Sequence, residues 1–192
     1  MSFHADWYNR SYDSIFKIAD WETFSADIPA KFTCIFAWMP MQLLNVRHKG
    51  RQVKGSVFSY EQVQSTLTDL DPTFDRLKGK TLIDADLQDE LQIADISSCA
   101  QPLAGFLGWV GASKYLHFSQ PGMFLMWDNG IIRRCNSRGV RITATTGGYL
   151  RFLEYAQLEL WNPERHAEAL RCANGDPGRI LRGLDILHMG ER

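Results

Sequence analysis

The chain has 192 residues, 45% of them hydrophobic and 22% charged, with a formal net charge of −1. This is the composition of an ordinary globular protein, and the length favours one domain over residues 1–192 with a substantial core. No run of about 18 apolar residues occurs, so no membrane-spanning helix is expected, and the polar start MSFHADWYNRSYD carries no expectation of a secretory leader.

Helical signals dominate the chain in order. WYNRSYDSIFKIADWETF places Trp7, Ile15, Ile18 and Phe24 at recurring spacings of three and four. SYEQVQSTLTDL opens on Ser59, an N-cap residue type, with Val63, Leu67 and Leu70 at helical intervals. DADLQDELQIADI carries Leu87, Leu91 and Ile96 behind acids in a first turn. TTGGYLRFLEYAQLELW and PERHAEALRCA are amphipathic, with Pro163 suited to a first helical position. DPGRILRGLDILHM reads as a last helix after Asp176 and Pro177. KGSVFSY and GVRIT are the only short strand candidates, and RHKGRQVKG, LKGK, SQPG and NSRG mark loops. The expected fold is a mostly α, compact helical bundle.

The cysteines Cys34, Cys99, Cys135 and Cys172 form no C-x-x-C pair, and the five histidines show no metal-ligand spacing. Reduced thiols, a cytoplasmic location and the absence of metal and cofactor are the corresponding expectations. Charge is unevenly spread. Between Asp27 and Glu61 there is no acid, but there are Lys31, Arg47, Lys49, Arg51 and Lys54. From Ile96 to Leu153 the one acid is Asp128, among Lys114, Arg133, Arg134, Arg138, Arg141 and Arg151. Such segregation predicts a cationic face for nucleic acid, or else solvated helix faces.

Within this stretch LGWVGASKYLHF reads as a helix through Leu103, Phe106 and Leu107 that ends at Gly108 or Gly111. A second helix then begins at Ser113. A glycine turn between two helices presents backbone N–H groups that suit a phosphate.

This glycine turn, the lysine, the apolar run and the segment P-x-x-x-x-x-W-D together resemble the core of the helix-hairpin-helix DNA glycosylases. Their hairpin is written roughly G-V-G-x-K-T-A. The resemblance covers Leu103 to Arg141. It implies that Asp128 is the catalytic aspartate and that Lys114 matches the hairpin lysine, a nucleophile in the branch that excises oxidised purines. It also implies that Gly111 to Lys114, Ser113 included, form the DNA-gripping turn. This chain departs from the pattern: its turn reads W-V-G-A-S-K, and the four-cysteine cluster motif of several members is absent. One compact type within the family acts in phage defence, removing glucosylated 5-hydroxymethylcytosine from viral DNA and leaving abasic sites. That base, or an oxidised or damaged one, is the substrate the resemblance implies.

The residue types suit the chemistry. Breaking a base from deoxyribose develops positive charge on the sugar, which a positioned carboxylate stabilises while it accepts a proton from water. Asp128 can equally be the N-cap of the helix that follows, and both roles are compatible. Trp127, Phe124, Met126, Trp109 and Trp38 are candidates for a flipped-base pocket or for core. Arg133, Arg134, Arg47, Lys49 and Arg51 are candidate phosphate contacts, with the loop Arg47–Lys54 either a wedge into DNA or solubilising charge. His117 has no expected role. The leading expectation is a monomeric DNA glycosylase acting on DNA. The rivals are a non-enzymatic helix-hairpin-helix DNA-binding protein and a nucleoside or nucleotide N-glycosidase.

Overall fold

A computed structural model describes residues 11–38 and 59–190, apart from the side chains of Trp38 and Met189. Among these residues every regular element is helical. None of the described helices is long and apolar enough to cross a membrane. The described residues fall into two compact units, divided between Asp71 and Pro72.

The first unit holds a helical segment at 11–15, helix α1 (Ile28–Trp38) and the start of α2 (Tyr60–Leu77). Tyr12, Ile15, Trp21, Phe24, Ile35 and Leu67 are among its buried residues. The helix expected to run on to Phe24 stops at Ile15, and Ile18 is exposed. The cause is local hydrogen bonding that competes with the helix. The Asp20 carboxylate accepts from the backbone N–H groups of Glu22 (2.9 Å) and Thr23 (3.3 Å), and the Trp21 indole donates to the Ile15 carbonyl at 3.0 Å. Helix α1 gives no periodic signal because IPAKFTCIFAW is apolar almost throughout. Its one charge, Lys31, is buried and donates to the Thr23 and Phe24 carbonyls, so it is no part of a cationic face. Ser59 caps α2 as expected: its Oγ accepts from Gln62 N at 3.2 Å, and Gln62 Oε1 accepts from Ser59 N at 3.0 Å.

The second unit contains α3 (Glu90–Ser119), α4 (Asn129–Ser137), α5 (Thr146–Trp161), α6 (Pro163–Cys172), a 3-10 turn (Pro177–Arg179) and α7 (Ile180–Gly190). Asp89 rather than an earlier acid caps α3, its Oδ1 accepting from Leu91 N at 3.0 Å. Asn162 caps α6 and leaves Pro163 at the first position, where its missing N–H is not needed. The irregular stretch after α2 is tied down by side chains: Gln157 Nε2 donates to the Leu82 and Ala85 carbonyls, both at 2.7 Å, and Gln120 Nε2 to the Leu77 and Lys80 carbonyls. GVRIT is not a strand. The Asn136 side chain pairs with both backbone groups of Ile142 and holds the segment as a loop. Helix α5 packs on α3 and α6, and α7 packs on α4 and α6.

Helix α3 breaks at Gly108, where φ is 67° and ψ is 166°. That region is essentially closed to residues with a Cβ. The helix resumes at once, so Gly111 to Lys114 are helical and enclosed rather than a turn. The expected second helix therefore starts several residues earlier than Ser113. All residues from Gly111 to Phe118 are buried.

Candidate active site

After α3 the chain reverses through Gln120–Met123 and runs on, buried and outside any regular element, over 124–127. A buried segment outside helices and strands must find partners for its backbone polar groups elsewhere. Here side chains supply them. His117 Nδ1 donates to the Phe124 carbonyl at 2.6 Å, the Tyr149 hydroxyl donates to the Leu125 carbonyl at 3.1 Å, and Ser113 Oγ accepts from Trp127 N at 3.0 Å. The next residue is Asp128. This latch, built in part from two residues one helical turn apart on α3, is what returns the aspartate to the neighbourhood of Lys114.

Burial drives the His117 imidazole down to a pKa of about 3, despite the Phe124 carbonyl, so it is a neutral ring with its proton on Nδ1. The residue without an expected role is thus a structural pin. Ser113 stands where the spacing of G-V-G-x-K would put the lysine, and its hydroxyl also donates to the Val110 carbonyl at 3.0 Å. Ser113 and Gly111, the expected DNA-gripping residues, are both buried within α3.

Asp128 is half-buried and caps α4, with Oδ1 accepting from Ile131 N at 2.7 Å. Lys114 is 7% exposed. Burial pulls its amine down to about 8, against the opposing pull of Asp185 and Asp128 and with Arg182 adding to the depression. Lys114 is thus a residue of the protein interior.

Two of those groups have no counterpart among the expected site residues. Arg182, Asp185 and His188 lie at successive three-residue intervals on α7, all nearly inaccessible, and Arg182 forms an ion pair with Asp185. Three ionisable residues at i, i+3 and i+6 inside an apolar helix are the signal the sequence offers for them. Burial raises the Asp185 carboxyl above the ordinary range, with Arg182 and Lys114 pulling it back. Beyond them His188 Nε2 donates to Glu159 Oε2 at 2.6 Å, and Arg165 Nη2 bonds Glu159 Oε1 at 3.1 Å. Burial works to raise Glu159, but His188 and Arg165 outweigh it and hold the carboxyl low.

The aromatic residues form one cluster. Trp109, half-buried just after the kink, stacks on Trp127 with ring centroids 6.0 Å apart. Trp127 also meets Tyr149 at 5.7 Å and Phe152 at 5.8 Å. The Trp127 indole N–H is buried without a hydrogen-bond partner among the described residues. Phe124 is wholly buried and packs as core. Arg133, Arg138, Arg141 and Arg151 are exposed and Arg134 is half-buried. Arg47, Lys49, Arg51 and the Trp38 side chain lie outside the described residues. Comparison of the chain with family models, with curated proteins and with solved structures finds no match.

Proposed function

We propose that this protein is a DNA N-glycosylase that extrudes a modified base and cleaves its glycosidic bond with Asp128, leaving an abasic site. The observation that carries the reading is the aspartate's setting. Its carboxylate is half-buried and fixed by the start of α4, an interior lysine lies within its field, and exposed arginines follow it on and after the same helix.

In the reaction the electron pair of the bond from C1′ to the base nitrogen leaves with the base. The sugar becomes cationic, the carboxylate stabilises it, and water adds to C1′ as Asp128 takes its proton. The Lys114 side chain lies within the field of this carboxylate. With a pKa of about 8, roughly one lysine in ten is neutral at neutral pH. Its two carboxylate neighbours favour a cation over a nucleophile, so the enzyme is monofunctional. Trp109, at the half-buried edge of the aromatic cluster, is the stacking surface for the extruded base. Glucosylated 5-hydroxymethylcytosine is the candidate base, with oxidised or damaged bases as the alternative class.

The test is incubation with duplexes carrying glucosylated, oxidised or unmodified bases, followed by assay for free base and alkali-labile sites. Asp128→Asn should lower base release by several orders of magnitude while DNA binding persists. Borohydride during turnover should trap no protein–DNA adduct. Base release from nucleosides alone would establish the nucleoside-scale reading. DNA binding with no release from any duplex would establish the non-enzymatic one.

A further inference from the structure

At its C-terminal end α5 turns an apolar surface to solvent. Leu158 and Trp161 stand one turn apart on the same side of the helix, and they are 60% and 55% exposed. Single exposed apolar residues are ordinary, but two large neighbours, one of them a tryptophan, make a patch. Trp161 is not loose there. Its indole N–H donates to the Ile83 carbonyl at 3.2 Å, and Gln157 holds the Leu82 and Ala85 carbonyls of the same loop at 2.7 Å. The ring is set in place before any partner arrives, which lowers the ordering cost of binding.

The rim of the patch is acidic. Asp84 and Asp86 are exposed and alternate along the loop with the buried residues Ala85 and Leu87. Their carboxylates take local neutral donors, the Thr81 hydroxyl at 2.6 Å and the Gln88 N–H at 2.9 Å. Glu164 is exposed in the first turn of α6, just after α5 ends. None of the three belongs to an ion pair among the described residues. The bases nearest in sequence are engaged elsewhere, Lys80 with Gln92 and Arg165 with Glu159 and Glu168. The exposed arginines are remote as well. Arg151 lies about 15 Å back along α5 at the helical rise, beyond the screening length of about 8 Å at physiological salt.

We propose that this surface docks a cationic amphipathic segment of a partner protein, which lays an apolar side chain on Leu158 and Trp161 and its arginines or lysines on the acidic rim. The sign of the rim selects the partner. Nucleic acid and anionic lipid are repelled, and a purely apolar segment would desolvate the carboxylates without pairing them. A basic side chain both pairs with a rim carboxylate and is attracted to the indole of Trp161. A fixed tryptophan is also the residue type that most often carries binding energy at an interface. The inference does not depend on the glycosylase reading. Tyr149, in the aromatic cluster near Asp128, lies about 18 Å from Trp161 along α5, so both sites can be occupied at once.

The test is selection of binders to the full-length protein from random peptides displayed on phage, with Trp161→Ser and Leu158→Ser as counter-targets. The selected peptides should be net positive and carry at least one large apolar residue. In fluorescence anisotropy with one such synthetic peptide, affinity should fall about tenfold or more in Trp161→Ser and by a smaller factor in Leu158→Ser. Asp84→Asn combined with Asp86→Asn should weaken binding at low salt and flatten its salt dependence. Should Trp161→Ser fail to fold, Leu158→Ser, which removes no hydrogen bond, still reads the surface. Peptides that bind both serine variants as tightly as the wild type, or that are neutral or acidic, overturn the proposal, and so does a selection that yields no binder. Self-association of the wild type that both serine variants abolish overturns it too, by making a second copy of the chain the occupant.

Discussion

Gly183 lies between Arg182 and Asp185, at the contact of α7 with α6. A β-carbon built there would stand 1.9 Å from the Ala169 carbonyl oxygen, 2.8 Å from its carbon and 3.1 Å from Ala173 N. Gly183→Ala therefore sets two effects of opposite sign against each other. Helix propensity favours alanine by about 1 kcal/mol. Steric overlap opposes it, and the obstructing atoms are backbone on a neighbouring helix, which no rotamer change can clear. Restoring ordinary contact requires α6 and α7 to separate by more than about 1 Å, and overpacking of this kind costs about 1–3 kcal/mol or more. Overlap wins, for a net loss of about 2 kcal/mol. With an m-value of about 2 kcal/mol/M for a domain of this size, the urea midpoint should fall by about 1 M. A midpoint that is unchanged or raised would show that propensity decides here and that the two helices are not in backbone contact.

Ser113→Ala removes the acceptor of the Trp127 N–H and leaves that buried group unsatisfied, so stability should drop by about 1–3 kcal/mol in chemical denaturation. His117 has a depressed native pKa, so the unfolded chain takes up its proton first, and stability is lost as pH falls below about 6.5. Between neutral pH and pH 5 this one group should cost about 2 kcal/mol, and the loss should be absent in His117→Asn, which keeps a donor at the Nδ1 position. Lys114 is also depressed, so its protonated form destabilises the fold below about pH 8, and stability relative to Lys114→Met should rise with pH from about 8 to about 10.5. Replacing Arg133, Arg138 and Arg141 together should reduce the log–log salt slope of duplex binding by about 0.9 for each phosphate they neutralise, and an unchanged slope would show that they face only solvent.

Elements whose boundaries depend on local chemistry are legible in the sequence. Ser59 with Gln62, Asn162 with Pro163, and Asp176 with Pro177 all start helices through bonds spanning two or three residues. The break in α3 is legible only as a choice, because Gly108 and Gly111 are equally good letters and only the backbone angles select the first. Lys31 falls in with a cationic stretch because a string of charges does not record that two carbonyls enclose its amine. Asp128 stands out through its isolation along the chain, but that isolation is not spatial. Asp185 joins it from the last helix, and a contact between distant segments leaves no local pattern at either end. The latch residues Ser113, His117 and Tyr149 are hidden for a related reason: each bonds to backbone, and backbone is the same at every position.

Gly108 makes the site depend on handedness. Reflected through the mirror, its angles become φ −67° and ψ −166°, close to the extended conformation that ordinary L-residues adopt freely. The chain at this position thus has the geometry of a D-amino acid, and glycine is the one encoded residue able to take it. Gly108 is exposed, and an L-type β-carbon there meets nothing within 4 Å. L-alanine would therefore fail through torsion alone, by about 1–3 kcal/mol. D-alanine introduced by chemical ligation would do the reverse, narrowing the unfolded ensemble and stabilising the protein by about 0.4–1 kcal/mol. Two stereoisomers of one side chain would then move Trp109, and with it the stacked indole of Trp127, in opposite senses: one loosening the aromatic cluster beside Asp128, the other locking it.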